Sequence, residues 1–282
     1  MHDRNPYVQK PDFRTLAQKY PNLSPYIVTT KTGTPALDFT DPRAQRELTC
    51  ALLWVDFGIR LEIPLDTLCP PVPNRLDYIL MIEDLILESG KGDREVFGID
   101  IGTGASCIYP LLACTRNKQW NMLALDIEPR SISYARANIS RNGLEKRVKV
   151  VLNESSDTLL PAELLVSFKT QIYDFLLTNP PFYTSPSQIA ASRSAKNLPP
   201  TAICTGALNE MITAGGELAF ILKLVEESRE LKGRVRWWSS LVGRKSDVGV
   251  LEGVLGGYSG EGCEWRVRSG RMARTVRWVV LW

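Results

Sequence analysis

From about residue 95 onward the chain alternates short apolar runs with stretches whose apolar residues recur at helical spacing. Val96-Phe97-Gly98-Ile99-Asp100-Ile101, Met122-Leu123-Ala124-Leu125-Asp126 and Tyr173-Asp174-Phe175-Leu176-Leu177-Thr178 have the length and composition of buried strands. An apolar segment runs on to Cys114 after the first, and a helix is expected from about Arg130 to Asn142 after the second. Further on, Glu217 to Leu231 reads as a helix and Arg234 to Ser239 as a strand, with Trp237 and Trp238 as core or sheet-edge residues. Such alternation predicts an α/β fold with a doubly wound sheet. Gly256 to Gly262 reads as a loose glycine-rich hairpin or insertion, and the run through Arg271, Arg274 and Arg277 to Trp282 as an edge strand.

The first ninety residues follow a different rhythm. Asp41-Pro42 offers an N-cap followed by proline at the first helical position; Ala44, Leu48, Ala51, Leu52 and Val55 then recur at helical spacing, and Gly58 ends the run. A second helix is expected from about Asn74 to Glu88, with Leu76, Ile79, Leu80, Ile82, Leu85 and Ile86 on its apolar face. Residues 1–93 are therefore expected to form a mainly helical module, and 94–282 the sheet domain. The module reads either as a cap packed on the sheet domain or as one wall of a nucleic-acid groove carrying Arg4, Lys10, Arg14 and Lys19.

Composition narrows the class. With 282 residues and 44% apolar content, the chain can bury one large core. Its six cysteines include no Cys-x-x-Cys pair, which argues against structural zinc and a disulfide framework and for a reducing compartment, nuclear or cytoplasmic. Neither a signal peptide nor a membrane span is expected, and the chain reads as a monomer. The net charge of +3 hides an asymmetry: residues 229–282 carry 11 Lys and Arg against 5 Asp and Glu, so the basic end is the C-terminal fifth.

The candidate chemistry lies where the strands end, the position at which open α/β sheets hold ligands. Asp100 leads directly into Gly102-Thr103-Gly104-Ala105-Ser106. A Gly-x-Gly turn there allows close backbone approach, and its N–H and carbonyl groups suit the amino-acid moiety of an adenosyl sulfonium. The third glycine of the dinucleotide fingerprint is replaced by Cys107, which counts against a nicotinamide cofactor. Asp126 lies 24 residues beyond Gly102, near the roughly 20-residue spacing at which a carboxylate reaches ribose hydroxyls; it also suits an N-cap for the next helix.

Asn179-Pro180-Pro181-Phe182 follows the strand ending at Thr178. An adenine N6 amino group is a poor nucleophile with two hydrogens to place; the Asn179 side-chain oxygen and the Pro180 carbonyl can accept one each and bias the nitrogen towards tetrahedral geometry. Pro180 and Pro181 stiffen the acceptors, and Phe182 can stack on an extruded base, worth roughly 1–3 kcal/mol. No general base is required, which suits a chain whose one histidine is His2. By itself the quartet also fits a stiff turn. Glycine loop, Asp126 and quartet together point to an adenosylmethionine-dependent amino methyltransferase. Arg193 and Lys196, in the polar stretch Ser185 to Pro200, and Arg271, Arg274 and Arg277 are candidate phosphate contacts, with a solvated face as the plain alternative.

At this point the chain resembles the methyltransferase-like 16 group of RNA adenine-N6 methyltransferases, whose bacterial relatives modify large-subunit ribosomal RNA. The likeness covers nearly the whole chain. It rests on the N-terminus Met1-His2-x-Arg4-Asn5-x-Tyr7, on the block Gly98-x-Asp100 through Pro110, on the quartet, on Gly215-Gly216-Glu217-Leu218 and on Arg274-Thr275-x-Arg277-Trp278. The resemblance implies a Rossmann-like class I methyltransferase sheet with helices on both faces, plus an N-terminal RNA-binding module. The implied cofactor is S-adenosylmethionine, leaving as S-adenosylhomocysteine, without a metal. The implied partners are U6 small nuclear RNA and hairpins in adenosylmethionine synthetase transcripts. Carried onto matching positions, Arg75 meets the cofactor carboxylate, Gly102 and Ser106 form the loop, Asp126 meets the ribose, Thr158 lies beside the adenine and Asn179 next to the methyl donor. Two departures stand out: Asp126 replaces a glutamate, and Asp157 stands where relatives carry a basic residue. An RNA-binding scaffold, or a methyltransferase for ribosomal RNA, DNA adenine or protein glutamine, are the alternative readings.

Overall fold

The computed structural model describes residues 1–90, 94–189, 208–258, 264–272 and 275–282. Strands β3 (Val96–Ile101), β4 (Trp120–Asp126), β5 (Val148–Leu152), β6 (Tyr173–Thr178), β7 (Val235–Val242), β8 (Arg266–Met272) and β9 (Thr275–Leu281) form one sheet in the order β5-β4-β3-β6-β7-β9-β8. The first five pair in parallel, while β9 runs antiparallel to both of its neighbours. Period-2 alternation sends Met122, Ala124, Phe175 and Leu177 to one face, and Leu123, Leu125 and Leu176 to the other. Both faces are covered, as near-continuous apolar strands require. Helices α3 (Val72–Glu88), α4 (Ile108–Arg116) and α5 (Pro129–Arg141) pack on the first face; α6 (Gly216–Glu230) and α7 (Lys245–Gly257) pack on the second. The order reverses at β3, flanked by β4 and β6, so a crevice opens at the carboxyl ends of these three strands. Gly98 is required inside β3: a Cβ there would lie 2.3 Å from the Phe175 ring and 2.5 Å from Met122 Sδ.

The N-terminal region contributes α1 (Phe13–Lys19), the β1 (Ile27–Thr29) and β2 (Pro35–Leu37) hairpin, and α2 (Pro42–Phe57). The Asp41 side chain caps α2 by accepting from the Arg43 N–H, and Gly58 ends the helix at φ +67°. Leu16, Leu23, Ala51 and Leu53 join α3 and α4 in the same apolar cluster, so this region adds a layer to one face of the sheet. Its first residues are clipped to α3: Asn5 Nδ2 donates to Asp77, and Arg4 donates to Glu83 at 2.9 Å and to Asp84.

Two sequence expectations are corrected. The last strand is not an edge, because β8 pairs along its whole outer side. Residues 266–272 alternate charge with small residues and carry too little apolar signal to read as a strand; Arg266 and Arg268 instead tie this edge to Glu88 of α3. The expected hairpin from Gly256 begins inside helix α7, whose Gly249, Gly253, Gly256 and Gly257 each cost about 1 kcal/mol of helix propensity. Val248, Leu251 and Leu255 buried against the sheet offset that cost, and residues 259–263 of that stretch lie outside the described residues.

Candidate active site at the strand ends

A cavity of about 710 Å³ opens at the carboxyl ends of β3, β4 and β6. Its floor is the turn leaving β3. Gly102 and Gly104 take φ of +74° and +62°, and the N–H groups of Gly102 and Thr103 donate to the Leu125 carbonyl at 2.9 Å, which fixes the loop against β4. Cys107, at the position of the missing third glycine, adopts φ +50°, a left-handed conformation that costs a non-glycine residue on the order of 1 kcal/mol. The Thr103 hydroxyl donates to Asp100 at 2.7 Å. Asp100 is fully buried beneath the loop, its other oxygen has no partner among the described residues, and burial pushes its carboxyl up to about 7.

Asp126 lines the wall at the end of β4. It accepts from the Gly104 N–H at 2.8 Å and the Glu128 N–H at 3.0 Å, and burial raises its carboxyl above the ordinary range against those bonds. The expected N-cap role falls to Glu128, which accepts from the Arg130 N–H, because α5 starts two residues later than Asp126 could serve. Farther along that wall, Asn153 donates to the Thr158 and Leu159 carbonyls, Thr158 Oγ1 lies 2.6 Å from Ser155 Oγ, and Glu227 accepts from the Leu159 and Leu160 N–H groups.

Arg75 enters from the first turn of α3. It is buried, donates to Tyr109 Oη at 3.0 Å and lies 5.5 Å from that ring's centroid; this is its one hydrogen bond among the described residues. Burial, opposed by Arg75, moves the Tyr109 hydroxyl up to about 12. Thus Arg75, Gly102, Gly104, Ser106, Asp126, Thr158 and Asn179 all line one cavity, whereas Asp100 lies under its floor.

The quartet leaves β6 beside this cavity. Thr178 Oγ1 donates to the Ile101 carbonyl at 2.8 Å, tying the quartet's root to β3. Asn179 and Pro181 line the cavity, Pro180 is buried, and the Asn179 side-chain oxygen is buried with no hydrogen-bond partner among the described residues. A buried acceptor costs roughly 1–3 kcal/mol when left unmade, so this one suits a donor that the described residues do not supply. Phe182 is not among the residues that line the cavity, and the Arg277 guanidinium lies 5.9 Å from its ring centroid. The next residues are clamped, since Tyr183 N–H donates to Met211 carbonyl and Thr213 N–H to Tyr183 carbonyl.

Sequence spacing did not mark the support behind Phe182. Glu217, buried in the first turn of α6, accepts from the Gly243 N–H with both oxygens at 2.9 and 3.0 Å. A Cβ on Gly243 would stand 3.4 Å from Phe182 and 3.3 Å from the Glu217 carboxylate. Burial pushes the Glu217 carboxyl up to about 7, with Arg277 and Arg244 opposing. The signal available was Gly215-Gly216-Glu217, a carboxylate straight after two glycines, which by itself names no partner.

The remaining candidates are dispersed. Lys10 and Arg14 are exposed on the N-terminal layer, and Arg4 is held by α3 carboxylates. Arg271 belongs to β8, and Arg277 to β9, while Arg193, Lys196 and Arg274 lie outside the described residues. Among the described residues no helix is long and apolar enough to cross a membrane, and no disulfide joins Cys50, Cys69, Cys107 or Cys114.

A parallel sheet reversing at a glycine loop, closed by an antiparallel last strand and carrying an unpartnered amide acceptor after β6, defines a Rossmann-like methyltransferase fold. More narrowly, the chain belongs to an RNA methyltransferase family, whose profile matches residues 1–282. It is 41% identical over 291 residues to RNA N(6)-adenosine-methyltransferase mettl16 of Danio rerio, covering 100% of this chain and 59% of that protein. It is 36% identical over 248 residues to the U6 small nuclear RNA (adenine-(43)-N(6))-methyltransferase of Schizosaccharomyces pombe, covering 87% and 62%. The chain thus spans about three fifths of each of these curated relatives. Among solved structures, the hMettl16 catalytic domain in complex with MAT2A 3'UTR hairpin 1 superposes with TM-score 0.88 at 38% identity, covering 100% of this chain and 94% of that one. The N-terminal domain of human METTL16 in complex with SAH gives 0.80 at 37%, covering 100% and 98%.

Proposed function

We propose that this chain is an S-adenosylmethionine-dependent RNA N6-adenosine methyltransferase acting on structured RNA of the U6 or hairpin type. The observation that carries the reading is the buried Asn179 side-chain oxygen at the cavity wall, which has no partner among the described residues. An exocyclic amino group presents the missing donor, and an acceptor there favours the pyramidal nitrogen needed for attack.

The residues fit the cofactor. Arg75 supplies a guanidinium for a carboxylate, the positive-φ turn at Gly102 and Gly104 leaves room for a close ligand, and Asp126 retains acceptor capacity for ribose hydroxyls. When bound, the cofactor supplies an electrophilic methyl group on a sulfonium sulfur. The chain's own part is positional: Asn179 and the Pro180 carbonyl hold the amino group, Phe182 stacks on the extruded base, and Gly243 and Arg277 back that ring. No side chain needs to remove a proton before transfer, since the amine becomes acidic only after it has gained the methyl group. Lys10, Arg14, Arg271 and Arg277, with Arg193, Lys196 and Arg274, are proposed phosphate contacts, and Arg4 is proposed to order the N-terminal wall through Glu83 and Asp84. The relatives' names and the hairpin and SAH complexes support this assignment.

The test is methyl transfer from labelled S-adenosylmethionine to a U6-derived hairpin, to duplex DNA and to a glutamine-containing peptide, followed by nucleoside digestion and mass spectrometry. N6-methyladenosine on the hairpin alone is expected. Label on the peptide or the duplex, or on nothing, contradicts the reading.

A further inference from the structure

The quartet leaves the sheet where β6 parts from one of its neighbours. Pairing of β6 with β7 ends at Leu176 opposite Trp238, whereas pairing with β3 runs on to Thr178 opposite Ile101. Two hydroxyls bridge the step. Ser239 Oγ of β7 donates to the Leu176 carbonyl at 2.7 Å, and Tyr78 Oη of α3 lies 2.8 Å from Ser239 Oγ. A carbonyl oxygen only accepts, so the Ser239 proton points at Leu176 and the Tyr78 proton at Ser239. The Tyr78 oxygen keeps acceptor capacity, and the backbone N–H of Thr178, the residue before Asn179, meets it. All four residues are fully buried.

Neither Tyr78 nor Ser239 lines the cavity, so whatever they do for the reaction they do through the backbone of β6. Past Leu176 that backbone no longer has β7 to fix it from one side, and hydrogen bonds in a buried, low-dielectric interior are strong enough to take over that task. We propose that Tyr78 and Ser239 are positioning residues for methyl transfer: together they hold the end of β6, and with it the Asn179 side-chain oxygen, where the substrate amino group is received. This rests on the reading of Asn179 as the amino-group acceptor. Exact placement matters there, since a shift of about 1 Å in reacting groups can cost on the order of 100-fold in rate. Tyr78 also lies one helical turn after Arg75, on the same side of α3. A single turn of that helix thus serves both ends of the site, with Arg75 lining the cavity and Tyr78 anchoring the quartet.

The test compares Tyr78→Phe and Ser239→Ala, which each remove one hydroxyl and keep the shape of the core, with Ile86→Val, which trims a buried side chain elsewhere on α3. Each variant of the 282-residue chain is measured for single-turnover methylation of the U6-derived hairpin and, by calorimetry, for affinity towards S-adenosylhomocysteine and the hairpin. The third readout is the Asn179 side-chain amide resonance, identified by its loss in Asn179→Ala. Both hydroxyl variants should slow transfer about tenfold with both affinities within about twofold, and should move the Asn179 resonance. Combined, they should cost scarcely more than either alone, since they break one path. Ile86→Val should do none of this. An unchanged rate in the hydroxyl variants overturns the proposal, and so does an equal slowing by Ile86→Val, which would make the pair ordinary packing. If the unmodified chain methylates no hairpin, the function reading fails, and the resonance decides separately whether the pair holds Asn179: it does if both hydroxyl variants move the signal and Ile86→Val leaves it, and it does not if the signal stays in place.

Discussion

The two sides of the quartet are built by different means. Toward the glycine loop, ligand-facing groups are backbone or buried side chains fixed by short bonds: Asp126 on Gly104 and Glu128 N–H groups, Arg75 on Tyr109. Toward Phe182, the ring is backed by Gly243 and by Arg277, a long arginine of β9. The difference teaches where selectivity resides. A small, invariant ligand rewards groups that are rigid before it arrives, whereas a large, deformable polyanion is met by adaptable surface charge.

Breaking the rigid side should cost most. Asp126→Ala leaves two loop N–H groups without an acceptor and should weaken S-adenosylhomocysteine roughly 100-fold by calorimetry while leaving hairpin affinity within about threefold; a loss of both would erase the distinction. On the other side, Gly243→Ala presses a methyl group against Phe182 and the Glu217 carboxylate. It should slow methylation about tenfold with cofactor affinity unchanged, and an unaltered rate would remove the buttress from the account. Arg277→Ala should weaken hairpin binding a few-fold and lower the salt slope by about 0.7–0.9, read from affinities at several salt concentrations; an unchanged slope removes it from the phosphate track.

The smallest effect is on stability. Burial holds the Asp100 carboxyl near 7, above its ordinary value of 3.8. The folded chain therefore binds more protons than the unfolded chain between those values, and this group's contribution to stability declines as pH rises through that window. Asp100→Asn should raise the melting temperature more at pH 8 than at pH 5, by a few degrees; an equal change at both would show that the group titrates normally.

The strands ending at Ile101, Asp126 and Thr178 were legible because each is an apolar run stopped by a glycine, a carboxylate or Asn-Pro, and the cavity follows from where they end. Asp41-Pro42 and Gly58 marked α2 for equally local reasons. What stayed hidden depends on tertiary context. Helix α7 contradicts its own glycine content, β8 is held by Glu88 from a helix nearly 180 residues away, and Glu217 gains meaning from the N–H group at Gly243. The missing third glycine was read as evidence against a nicotinamide cofactor; the fold adds that Cys107 adopts the left-handed conformation a glycine would take.

The central claim is that the unpartnered Asn179 oxygen holds the amino group that is methylated. The most direct test measures hairpin binding and N6-methyladenosine formation side by side for the unmodified chain and Asn179→Ala. Methylation should fall at least about 100-fold while hairpin affinity stays within about threefold, because only the amino-group acceptor is lost. Retained methylation, or a loss that merely tracks weakened binding, would contradict it.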